Sequence, residues 1–195
     1  MDSIAGRSSL QARRYQALLA AGWMILTLAA GTAVLPFLNR ISGAALFGGI
    51  LLGAGIAEML ASMLRRRARI PSLLAAAVTV LAGVLLLLRP AISLLPTLYI
   101  IAAWLLLRSV AIFFAAVRTS GSTRRWTMIS AATDLLLGLL VVAGLFVTTL
   151  SLLLFGPTPD MIASFAWFLA LSLATTGMYL LEVGNCERES ALQLR

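Results

Sequence analysis

The sequence predicts an all-α integral membrane protein, with six transmembrane helices arranged as three helical hairpins in a pseudo-repeated bundle. Three observations lead there. The 195 residues are 61% hydrophobic and only 11% charged, with a mean hydropathy of +1.01, whereas a soluble domain carries about 25% charged residues. The apolar residues gather into six runs, each near the ~20 residues that cross a ~30 Å hydrocarbon core. Three of these runs share a small-residue signature at a spacing of about 54 residues, as a repeated hairpin would. Isolated backbone polar groups are costly in lipid, so runs of this length form helices, and the short alternating segments of a β-barrel are not seen.

The transmembrane domain covers 16–183, between tails at 1–15 and 184–195. Span one, about 16–38, follows Arg7, Arg13 and Arg14 and contains the small residues LAAGTA, as a secretory signal would. Its apolar run is longer than the roughly 7–15 residues of a signal core, and it has counterparts later in the chain, so it is expected to remain as a span. Span two, about 41–64, lies between Asn39-Arg40 and RRRAR (65–69). Pro71 opens span three, about 71–88, and Arg89-Pro90 closes it. Span four runs over about 92–117 and TSGSTRR (119–125) follows it. Span five covers about 126–149, and GPTPD (156–160) leads into span six, about 161–183.

The repeat explains the pairing of spans. TLAAG (27–31), TVLAG (79–83) and DLLLG (134–138) put Thr27, Thr79 and Asp134 four residues before a glycine in spans one, three and five. In the returning spans GIAEMLA (55–61) aligns with SVAIFFA (109–115) and, more loosely, with GMYLLEV (177–183). Each unit is one hairpin, and three similar hairpins are expected around a pseudo-symmetric centre. Span two adds a stripe of small residues at every fourth position: Ala45, Gly49, Gly53, Ala57 and Ala61. Such a stripe lets helix backbones approach closely. Another helix of the same chain is its expected occupant, because six helices must first pack their own interior. A second protomer, giving a homo-oligomer, is the alternative.

Charge orients the bundle. The formal charge of +8 comes from fifteen Arg, no Lys and seven acids. Twelve arginines fall in the two tails and the 65–70 and 118–125 loops, against Arg40 and Arg89 on the other side. By the positive-inside rule both termini are expected to be cytoplasmic, with the arginine clusters meeting anionic lipid headgroups. Tyr15, Trp126 and Tyr179 fall near that interface, where amphipathic rings belong. Arginines clustered in short segments between apolar runs fit lipid headgroups, and no nucleic-acid partner is expected, nucleic-acid binding being the weaker reading.

Catalysis is not expected. With no His and a single Cys, Cys186, the chain offers no Ser/His/Asp set, no disulfide and no Cys/His set for zinc, haem or an iron–sulfur cluster. No phosphate-cradling loop appears, and the loops are too short for a soluble catalytic domain. No metal and no cofactor are expected.

The hairpin pattern resembles the HdeD family of bacterial acid-resistance inner-membrane proteins, which have six spans. The best matching stretch is 73–120, LLAAAVTVLAGVLLLLRPAISLLPTLYIIAAWLLLRSVAIFFAAVRTS. Gly83, Pro90 and Trp104 fall where the family has Gly, Pro and an aromatic, while Ser109 stands where it has Gly. The similarity extends over about 15–185 and departs again behind Gly138, where no proline follows closely. The resemblance implies a role in acid or envelope stress and carries over no site residues.

The candidate site comes from the residues alone. Glu58, Arg108 and Asp134 lie inside the spans, and Glu182 lies at a span's end. Counted from the nearest flanking arginines, Glu58 is ~10 Å deep, Asp134 ~13 Å and Arg108 ~15 Å, so all three share one layer. A charge at this depth needs a counter-ion or water. Arg108 is expected to pair with Asp134, with Glu58 or with both; snorkelling of Arg108 and protonated carboxylates are the alternatives. The layer reads first as a polar clasp that fixes helix register, and second as a proton or ion relay. The expected function is non-enzymatic and, as the resemblance implies, of the HdeD type, in acid or envelope stress. A small carrier or channel using the charged layer, or a membrane scaffold using the Ala45–Ala61 stripe, are the alternatives.

Overall fold

A computed structural model describes residues 2–34, 43–65, 68–88, 94–155 and 159–193, with side chains over 13–34, 45–65, 68–88, 96–145 and 166–189. The described residues form six α-helices and no strand: α1 Asp2–Val34, α2 Gly43–Leu64, α3 Arg69–Leu88, α4 Leu94–Val117, α5 Gly121–Phe155 and α6 Pro159–Gln193. Each holds a stretch long and apolar enough to cross a membrane, and the chain is a multi-pass membrane protein. Pro36, Asn39, Arg40, Arg66, Arg67, Arg89, Pro90, residues 156–158 and Arg195 lie outside the described residues.

Helix boundaries follow local chemistry. Pro71, Pro96 and Pro159 sit in the first turns of α3, α4 and α6, where a missing N–H removes no intrahelical bond. α1 and α6 run through most of both expected tails, and α5 starts at Gly121 rather than near 126. Nothing in those segments breaks a helix once it is nucleated, and each further residue adds a bond. The α4–α5 connection turns through Gly121 at φ 65°, a conformation open to glycine because it has no Cβ. The α2–α3 connection uses Ala68 at φ 54°, which costs roughly 1–2 kcal/mol for a residue with a Cβ. Ser72 N–H donates to the Ala68 carbonyl at 3.1 Å and helps hold that turn.

Consecutive helices pack against each other and α6 returns against α1, closing the bundle. The three hairpins are present, yet the most extensive interfaces join one hairpin to the next: α2 to α3, α4 to α5, and α6 to α1. Glycine sets the spacing in each. A Cβ on Gly83 would lie 2.6 Å from the Leu52 backbone nitrogen and 2.9 Å from the Gly48 carbonyl, so α2 and α3 touch backbone to backbone. A Cβ on Gly138 would lie 2.9 Å from Leu106 Cδ2, and one on Gly177 would lie 2.7 Å from Leu26 Cγ. These contacts supply the dispersion that associates helices where no hydrophobic driving force exists.

The small-residue stripe of α2 is covered within the chain over only part of its length. Ala57 and Ala61 are buried, a Cβ on Gly53 would lie 3.8 Å from Leu28 Cδ1, Ala45 is half-buried, and Gly49 is exposed, with open space where a Cβ would sit. Close approach to α3 runs instead through Gly48 and Gly55. Four residues turn a helix by 400°, so a stripe at every fourth residue drifts ~40° per step and ~160° from Ala45 to Ala61. One straight neighbour cannot cover it.

Candidate functional site

Arg108 projects from the middle of α4 into the centre of the bundle with no exposed surface. Its guanidinium carries five N–H donors in a planar fork, and in lipid each must find an acceptor or remain costly. Nη1 donates to Asp134 Oδ2 at 2.5 Å and to Ser172 Oγ at 3.1 Å. Nη2 donates to Thr176 Oγ1 at 2.6 Å and to Glu58 Oε1. All four terminal hydrogens therefore have acceptors, on α2, α5 and α6. Nε has none, and Arg108 Cζ lies over the Trp104 ring, 5.7 Å from its centroid.

The acceptors are themselves held. Ser172 Oγ donates to Asp134 Oδ1 at 2.6 Å, which ties that carboxylate on both oxygens. Thr176 Oγ1 donates back to the Ser172 carbonyl at 2.8 Å. Ser172 and Thr176 stand four residues apart on one face of α6, as Trp104 and Arg108 do on α4. The Trp104 indole N–H donates to Thr79 Oγ1 at 3.1 Å. Thr79 has a single hydroxyl hydrogen, with the Ala75 carbonyl at 3.0 Å and Glu58 Oε2 at 3.4 Å. The shorter bond takes it, leaving Glu58 Oε2 with the weakest partner in the cluster.

The structure thus brings Glu58, Arg108 and Asp134 together, two ion pairs on one guanidinium. With both carboxylates ionised the cluster carries a net charge of −1. Five helices contribute to it, and no described side chain of α1 does. Thr27, aligned with Thr79 and Asp134 by the repeat, is exposed and donates to the Met24 carbonyl. In the return helices the alignment does coincide with geometry. Ala54, Arg108 and Thr176 are all buried, and one turn onward Glu58, Ile112 and Leu180 line a common cavity.

A second group lies between this layer and the arginine-rich end. Arg65, which the sequence assigns to a loop cluster, turns inward and is buried. It donates through Nη1 to Ser72 Oγ at 2.7 Å and to the Tyr179 hydroxyl, and its Cζ stacks 4.4 Å from the Tyr179 ring centroid. Tyr179 is therefore a buried partner rather than an interfacial anchor. Glu182 accepts from Ser122 Oγ, and Thr123 Oγ1 donates to Cys186 Sγ at 3.6 Å, linking the start of α5 to α6. Among the described residues no cluster of Cys, Asp and Glu has the geometry for a metal ion.

Sequence reasoning found the three charges and missed Ser172 as well as the Arg65–Tyr179–Ser72 group. The available signal for the first was Ser172 and Thr176 at helical spacing in an otherwise apolar span. None existed for the second, because a loop arginine looks the same whether it faces outward or inward.

No curated protein and no solved structure matched the chain. Residues 74–143, just over a third of the chain, match the model of a family described as a short repeat of unknown function, DUF308. That stretch covers most of α3, all of α4 and much of α5, and it includes Thr79, Trp104, Arg108 and Asp134 but not Glu58, Ser172 or Thr176.

Proposed function

We propose that this chain is a non-enzymatic bacterial inner-membrane protein of the HdeD type, with cytoplasmic termini, acting in acid or envelope stress. HdeD proteins contain the short repeat matched at 74–143, which supports the family reading. The arginine excess at the end shared by both termini supports the orientation. The observation that carries the reading is the fully enclosed Arg108, whose four terminal N–H hydrogens are all taken by buried side chains. A group so saturated supports a clasp that binds α2, α4, α5 and α6 into one register, and gives little support to a conducting path.

Survival after acid or envelope challenge tests the role. Cells lacking the chain should lose viability and regain it with the wild-type chain but not with Arg108→Met; equal survival without the chain would overturn the proposal. A small proton or ion carrier is the second reading, favoured by the cavity beside Glu58. It predicts proton flux into liposomes that disappears in the Glu58→Gln, Asp134→Asn double variant, whereas the clasp predicts none above empty vesicles.

A further inference from the structure

The cavity beside Glu58 has unused donors and acceptors of complementary kind. It holds about 20 Å³ and is lined by Glu58, Ser62, Arg65, Ser72 and Tyr179 on its polar side. A cavity of ~10–15 Å³ suffices for one water, provided two to four polar partners surround it. Two groups at this cavity lack a good partner. Arg65 Nε is buried and unpartnered, and Glu58 Oε2 has only the contested Thr79 hydroxyl at 3.4 Å. One is a donor and the other an acceptor, so a molecule that serves both must accept from the first and donate to the second. A halide cannot donate and a metal cation cannot accept. The Arg65 guanidinium at the cavity further opposes a cation.

We propose that the cavity is a single-water site, in which one water accepts from Arg65 Nε and donates to Glu58 Oε2. The water joins the Arg108 cluster to the arginine-rich end, and Arg65, stacked on Tyr179 and anchored to Ser72, is the positioning residue that closes over it. Glu58 keeps a side-chain exposure of 10% while Asp134 has none, so only the Glu58 side of the layer is open to such a water. This inference stands whether or not the chain acts in stress.

Radiolytic hydroxyl labelling of the full chain in lipid nanodiscs, with rapid mixing into ¹⁸O water, reads the site directly. Bound water marks adjacent side chains even where bulk solvent does not reach. Tyr179, Ile112 and Leu180 should take up oxygen well above Leu105 and Leu173, which are also buried but do not line the cavity. Arg65→Lys keeps the charge but has no Nε–H, so ¹⁸O should reach these residues roughly fivefold faster, the equivalent of one hydrogen bond lost. Labelling of all three at the level of Leu105 and Leu173 in the wild-type chain would overturn the water site. Strong labelling with an exchange rate unchanged by Arg65→Lys would overturn the bridge to Arg65.

Discussion

Asp134 and Glu58 both bind the guanidinium of Arg108, and their surroundings differ on every other count. Asp134 is wholly enclosed, accepts on both oxygens, and is braced by Ser172, which itself accepts from Arg108. Glu58 accepts firmly on one oxygen, has a long contested contact on the other, and borders a cavity. Two ion pairs on one cation are thus unequal: the first is a dry anchor, the second an edge that water can reach. Breaking a buried pair by removing one partner is costly because it strands a desolvated charge. An edge charge has another recourse, since water can replace part of what is lost.

Four substitutions should rank along that inequality, measured as unfolding free energy in mixed micelles. Arg108→Met strands both carboxylates and should have the largest effect, about 3–5 kcal/mol. Asp134→Asn comes next at roughly 2 kcal/mol, because an amide turns a donor towards either Arg108 or Ser172, each of which already donates there. Glu58→Gln should cost about 1 kcal/mol, since its amide can accept from Arg108 while its N–H₂ faces Thr79 and the cavity. Thr79→Val should be smallest, about 0.5 kcal/mol, in line with interhelical hydrogen bonds measured in membranes. Equal costs for Asp134→Asn and Glu58→Gln would erase the distinction between anchor and edge, and a reversed order would assign the anchor to Glu58.

How far the sequence could reach follows from the same residues. Three charges in otherwise apolar spans stand out, and counting along a helix locates their depth, so the shared layer of Glu58, Arg108 and Asp134 was legible. Hydroxyls are different. Thr32 donates to the Leu28 carbonyl at 2.7 Å, a purely local bond, while Thr176 makes the same kind of local bond and also accepts from Arg108. Sequence does not separate these two cases, because backbone bonding by Ser and Thr is open to both. Rotation about the helix axis was the other hidden quantity. Spacing placed Thr27 level with its repeat mates but not on an inward face, and it singled out Gly49 when Gly48 makes the contact. Which hairpin faces meet is decided by close packing between helices, at Gly83 with Gly48 and at Gly177 with Leu26, and such pairs lie far apart in the chain.

The central claim is that Arg108 and Asp134 stabilise the fold as a pair. A double-mutant cycle of Arg108→Met and Asp134→Leu, read as unfolding free energy, measures that pairing directly. The expected coupling is about 2 kcal/mol or more, with Asp134→Leu far less harmful once Arg108 is gone. Additivity within about 0.5 kcal/mol would contradict it.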